Sequence, residues 1–149
     1  LLVHGEHTRD ELLRRFRVTR GAVLLGTSSF WEGVDVPGDA LRGLVIAKLP
    51  FKVPTEPLTA AHCEAIERAG GDAFAEYMLP HAALRLKQGF GRLIRTSTDS
   101  GVVVICDARV IRMAYGQEIL RTLKSINDRE TIMLVLLGAI AVATGAKII

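Results

Sequence analysis

Apolar positions along this chain follow two rhythms, and their alternation predicts the architecture. Residues 22–25, 44–47 and 102–106 are short, continuously apolar runs, the first bounded by Gly21 and Gly26 and the last rich in β-branched residues. Such runs predict buried strands, and residues 1–3 resemble the end of another. Between them the apolar positions recur at helical spacing. Thr8-Arg9-Asp10-Glu11 has the form of a capping box ahead of Leu12, Leu13 and Phe16. Leu58, Ala61, Ala65, Ile66 and Ala69 follow Pro57, a third helix is predicted over 82–95, and a fourth over 111–123. Continuously apolar strands alternating with helices predict an α/β fold with a mostly parallel sheet covered on both faces. In such sheets ligands bind beyond the carboxyl ends of the strands.

The 82–95 segment carries the strongest chemistry. At 100° per residue, Arg85, Gln88, Gly91, Arg92 and Arg95 share one stripe, while Ala82, Ala83, Leu86, Phe90, Leu93 and Ile94 face the other way. One side can anchor the helix as the other presents three guanidinium groups and an amide. Guanidinium forks match phosphate oxygens in pairs and stay charged at any working pH. Gly89 and Gly91 each cost a helix roughly 1 kcal/mol relative to Ala, which suits something approaching the backbone closely. The stripe is read as a polyphosphate reader in preference to a solvated basic face.

The segment after residue 25 is the second candidate. Thr27, Ser28 and Ser29 are consecutive hydroxyl residues able to donate to phosphate oxygens. Gly33 allows close backbone approach, and Asp35 can accept from a ribose hydroxyl. The competing reading is an ordinary loop with Trp31 plugging the core. Residues 48–54, Lys-Leu-Pro-Phe-Lys-Val-Pro, form a proline-stiffened loop with two cations, suited to lining a nucleic-acid channel or to a solvated connection. Asp107 and Arg109 follow the third strand, placed either to touch a site or to serve as a helix-capping carboxylate beside a surface cation.

Composition narrows the class. The chain has 149 residues, 49% hydrophobic and 23% charged, enough for one domain with a real core. A net charge of +3 and a pI near 9.1 permit a nucleic-acid partner without demanding one. Cys63 and Cys106 are too few for a disulfide framework and sit in apolar sequence, as buried thiols of a reducing compartment do. His4, His7, His62 and His81 lack metal-site spacing, and no metal ligand is assigned. Ser28 and Ser29 lack the Gly-x-Ser-x-Gly elbow of a hydrolase nucleophile.

Two stretches together carry a family resemblance. Gly26-Thr27-Ser28-Ser29-Phe30-Trp31-Glu32-Gly33-Val34-Asp35 resembles motif V of superfamily 2 helicases of the XPD/DinG type, and Gln88-Gly89-Phe90-Gly91-Arg92-Leu93-Ile94-Arg95 resembles their motif VI. Residues 49–54, Asp107-Ala108-Arg109 and Tyr115-Gly116 are similar to the bacterial DinG branch, so the resemblance covers about residues 1–125. It implies the second of two RecA-like motor domains, a three-layer sandwich with a mostly parallel central sheet, from a cytoplasmic DNA-repair helicase moving 5′ to 3′ on single-stranded DNA. Arg92 and Arg95 would then be arginine fingers and Gln88 would help place the γ-phosphate and the attacking water. Glu32, Gly33, Asp35 and Gly91 would meet the nucleotide, and Thr27, Ser28 and Ser29 the tracked strand. ATP and Mg²⁺ would be held mainly by the first motor domain, which in many relatives also carries an iron–sulfur cluster. Its Gly-x-x-x-x-Gly-Lys-Ser/Thr and Asp-Glu-x-His motifs do not occur here. The chain is therefore expected to be a piece of the motor, inactive alone. The rival classes are a non-catalytic RecA-like nucleic-acid-binding module and a membrane-anchored protein.

The last residues depart from that pattern. Residues 131–146 run without a charge, short of the roughly 20 apolar residues of a spanning helix. Residues 126–149 are read as an atypical apolar tail: a covered helix, a marginal membrane anchor, or a non-native end, the last favoured. No membrane partner is assigned from it.

Overall fold

The structure is a computed structural model that describes residues 1–27, 30, 36, 40–93, 101–124 and 132–136. Its strands sort into two parallel sets. β1 (Leu2–Val3) pairs with β2 (Leu24–Leu25), Leu2 opposite Leu24. β3 (Gly43–Ile46), β4 (Gly101–Ile105) and β5 (Ile132–Leu136) form a three-stranded sheet in that order, each neighbouring pair parallel. Parallel neighbours need a long crossover, and the helices supply it between β1 and β2, β3 and β4, and β4 and β5. The α/β expectation holds.

Coverage of both faces does not hold among the described residues. Along β2 and β3 burial alternates residue by residue, leaving Leu25 51% and Val45 67% exposed while Ile46 is buried. Apolar runs in a sequence do not distinguish a two-sided strand from one whose second face is bare. β5 corrects the reading of the apolar tail in part. Ile132–Leu136 is neither helix nor span but a strand, with Val103 of β4 opposite Leu134.

α1 (Arg9–Val18) starts at Thr8, whose hydroxyl accepts the Glu11 N–H at 3.4 Å. The reciprocal half of the capping box is missing, because the Glu11 carboxylate turns to Arg14 at 2.7 and 2.8 Å. Leu12 and Leu13 pack with Leu2, Phe30 and Val36 in a small core. α2 (Pro57–Arg68) has proline in its first turn, as the missing N–H favours. Its apolar stripe is not a core face: Leu58 is 65% exposed, Ala61 and Ala65 are exposed, and Thr59 alone of the helix is buried. The period identified a helix but not what covers it.

A π-helical turn (Phe74–Met78) runs directly into α3 (Leu79–Leu93). Leu79, Leu86 and Phe90 of α3 pack on Ile46, Val103 and Ile105 of the sheet and on Ile119 and Leu123, forming the main core. Leu41 packs against both cores. The single helix expected over 111–123 is two, α4 (Arg109–Arg112) and α5 (Gly116–Lys124), broken at Met113, whose backbone is extended. Gly116 makes the break possible: a Cβ there would lie 2.0 Å from the Val110 carbonyl oxygen.

Candidate nucleotide and nucleic-acid interface

α3 sorts its residues as the stripe requires. Ala82, Leu86, Gly89 and Phe90 are buried, Gln88 and Gly91 exposed, and Arg85 half-buried. The missing Gly91 side chain is not demanded by packing, since a Cβ there would meet nothing within 4 Å. What the glycine leaves is open surface next to Gln88. Arg92 belongs to α3 by its backbone; its side chain, and Arg95 altogether, lie outside the described residues.

Thr27, at the end of β2, exchanges a hydrogen bond with His4 Nδ1 at 2.9 Å. The His4 ring meets Phe30 edge-on at 4.6 Å, and the Arg9 guanidinium lies 5.9 Å from the same ring. The hydroxyl is thus held by a residue just past β1. Ser28, Ser29, Glu32, Gly33 and Asp35 lie outside the described residues.

The carboxyl ends of β3 and β4 enclose an open cleft of about 500 Å³ lined by Ala47, Lys48, Cys106, Asp107, Ala108 and Arg109. Asp107 is buried and organises it. One carboxylate oxygen accepts the Leu49 N–H at 2.8 Å; the other accepts the Arg109 N–H at 3.0 Å, while the Arg109 guanidinium spans both. Burial works against the negative charge, yet the Arg109 side chain and the two backbone N–H groups together bring its pKa down to about 2. The same pairing raises Arg109. So the carboxylate is not the N-cap of α4, a position Ala108 holds without a side-chain bond, but it does accept the first N–H of that helix and ties two strand ends together, which spacing alone does not reveal. The Arg109 guanidinium stands 5.4 Å from the Phe51 ring, which meets Tyr115 at 5.8 Å and Phe74 at 5.6 Å.

A further cluster went unread in the sequence. Lys52 donates to the Tyr77 hydroxyl at 2.8 Å and lies 4.9 Å from its ring; His62 stacks on Tyr77 at 5.0 Å and His81 meets it edge-on at 4.6 Å. Tyr77, His81 and Arg85, each four residues apart, were the available signal: they prolong the Gln88 stripe toward the start of the helix. Lys52 is one of the two cations of the 48–54 loop, whereas nothing in the helical pattern of α2 singles out His62. Cys63 and Cys106 are free thiols, half-buried rather than buried as expected. Among the described residues no His, Cys, Asp and Glu group is placed to hold a metal ion, and no helix is long and apolar enough to cross a membrane.

Comparison with known proteins adds the following. Residues 1–126 match a family described as the helicase C-terminal domain; β5 lies beyond the matched residues. The chain is 50% identical over 123 residues to an ATP-dependent DNA helicase YoaA of Haemophilus influenzae, covering 83% of this chain and 19% of that protein. It is 44% identical over 127 residues to an ATP-dependent DNA helicase DinG of Photobacterium profundum (83% and 18%). To a 3'-5' exonuclease DinG of Bacillus subtilis it is 42% identical over 120 residues (80% and 13%). The chain thus spans less than a fifth of the length of these relatives.

Proposed function

We propose, from the premise that the chain belongs to the helicase C-terminal domain family, that it is the second motor domain of a DinG-type ATP-dependent DNA helicase. The observation that carries this is the two-sidedness of α3: Ala82, Leu86 and Phe90 bury one face in the core, and Gln88 and Gly91 lie open on the other. A rigid helix anchored this way can hold polar groups against a triphosphate. In this reading Arg92 and Arg95 stabilise charge building on the terminal phosphate, and Gln88 orients the γ-phosphate and the attacking water. Glu32, Gly33 and Asp35 meet the nucleotide from the neighbouring loop, while Thr27, Ser28 and Ser29 hold a phosphate of single-stranded DNA.

Phosphoryl transfer is catalysed mostly by positioning and electrostatics, so these residues need no covalent chemistry of their own. A first motor domain of the same full-length protein supplies the phosphate loop and the Mg²⁺ ligands, and an iron–sulfur cluster, where there is one, belongs to it. Both candidate segments ride on one domain, so closure over ATP moves the strand grip together with the fingers. The chain alone neither hydrolyses ATP nor unwinds DNA, and the protein works in the cytoplasm. Replacing Arg95 by Ala in the full-length protein is expected to slow ATP turnover by about 10³-fold or more. Turnover that stays within about twofold of wild type would remove the finger assignment.

A further inference from the structure

We propose that Lys52, His62 and His81, gathered around the Tyr77 ring, form a second phosphate site on this domain, one that takes a backbone phosphate of single-stranded nucleic acid. Four segments converge there: Lys52 from the loop after β3, His62 from α2, Tyr77 from the π-helical turn and His81 from the start of α3. Lys52 brings a standing positive charge there, and His62 and His81 bring ring N–H groups able to donate to an anion. The charged neighbours acting on His81 are Lys52, Arg85 and His62, while the Glu76 carboxylate lines a cleft together with His62 and accepts the Asp72 N–H at 3.0 Å. Burial first and then these like charges push the His81 pKa below its ordinary value, the direction that a bound anion would reverse.

Placement supports the same ligand. Lys52 leaves the carboxyl end of β3, the edge at which parallel sheets bind ligands. Tyr77 sits in a π-helical turn, a feature frequent at functional sites. In that turn Phe74 is 40% exposed and rests against Phe51, the residue before Lys52. An exposed ring beside a cation is what a base and its phosphate require of a sequence-tolerant grip. His81 lies seven residues before Gln88, roughly 10 Å along the helix axis at 1.5 Å per residue. That separates it from the terminal phosphate of a nucleotide held at Gln88. The choice of a single strand as the source of the phosphate rests on the helicase reading above.

The test uses the 149-residue chain, a fluorescent oligothymidylate and inorganic phosphate. Binding is followed by anisotropy against salt for wild type and Lys52→Met, and the His81 titration by NMR with and without each ligand. Losing one phosphate contact is expected to reduce the salt slope by about 0.7 and to weaken binding several-fold at low salt. The oligothymidylate is expected to raise the His81 pKa, so that affinity climbs as pH falls. An oligothymidylate that binds Lys52→Met with an unchanged slope, and leaves His81 where it was in wild type, overturns this site while the helicase reading stands. A His81 shift with inorganic phosphate but none with the oligothymidylate overturns the assignment to a strand. Failure of the wild-type chain to bind any oligothymidylate counts against the strand grip itself, and this site falls with it.

Discussion

The carboxylate of Asp107, just past β4, accepts the backbone N–H of Leu49, just past β3, at 2.8 Å across 58 positions of sequence. Two loops that leave the same edge of a parallel sheet are thereby fixed to one another at a buried point. The link is doubled on the surface, where Arg109, held by Asp107, lies over the Phe51 ring. Loops carrying Lys48, Lys52 and Arg109 are thus held by the sheet instead of wandering over it. Any ligand reaching this edge meets Lys52 already held by Tyr77 and Arg109 already held by Asp107, which lowers the ordering cost of binding.

Replacing Asp107 by Asn keeps an acceptor for Leu49 but forfeits the charge-assisted pairing with Arg109. A loss of about 2 kcal/mol is expected at neutral pH, from a carboxyl moved from 3.8 to about 2. The dependence on acid has a definite sign. Above the ordinary carboxylate range Asp107 is ionised folded and unfolded, and its contribution is complete. As pH falls toward about 2 the unfolded chain takes up its proton first, and the contribution is lost. Urea titrations of both proteins should therefore converge between pH 4 and about 2. A gap that persists undiminished to pH 2 would show that the charge is not what stabilises the link.

The sequence carried the chemistry of α3 well because an amphipathic helix declares both of its faces: a 3.6-residue period put Phe90 inside and Gln88 outside, and there they are. It carried less where a decision belongs to contacts between distant segments. Nothing local in Leu58, Ala61 and Ala65 says that their stripe stays bare, nor in Leu25 and Val45 that one side of each strand does. Apolar residues at 131–146 satisfy helix and strand templates alike, and pairing with β4 makes 132–136 a strand. The Tyr77 cluster was half legible: Tyr77, His81 and Arg85 share a face, whereas Lys52 and His62 arrive through tertiary folding.

The two faces of α3 should answer differently to truncation. Leu86 is fully buried in the main core and Leu84, two residues earlier, is 51% exposed. Leu86→Ala is expected to cost about 2–5 kcal/mol through lost burial and the cavity left behind. Leu84→Ala should stay within about 0.5 kcal/mol of wild type. Denaturant midpoints measure both, and equal losses would mean that the helix is rotated from the orientation described.

Gly116 separates α4 from α5 by letting the chain pass close to Val110. An added methyl would lie 2.0 Å from the Val110 carbonyl oxygen and 2.5 Å from its carbonyl carbon, both rigid backbone atoms. Gly116→Ala must therefore open the turn and pull Ile119 and Leu123 out of register with the core. A destabilisation of about 1–3 kcal/mol, the range of overpacked sites, is expected in thermal or urea unfolding. A stabilised Gly116→Ala, the usual result for a helical glycine with free space around it, would rule out the close approach.

Gly91 offers the opposite experiment, because its surroundings impose nothing. It is exposed on α3 and a Cβ would meet no atom within 4 Å. Helix propensity alone then makes Gly91→Ala stabilising by up to about 1 kcal/mol. In the full-length protein the same methyl would stand beside Gln88, in the space proposed for the nucleotide. ATP turnover should fall by about tenfold or more, the cost of slightly misplaced reacting groups, while the melting temperature of the isolated chain holds or rises. A structural reason for the glycine would lower both together. Turnover unaffected by the methyl would show that no nucleotide comes close to this face, and the functional reading of α3 would have to be given up.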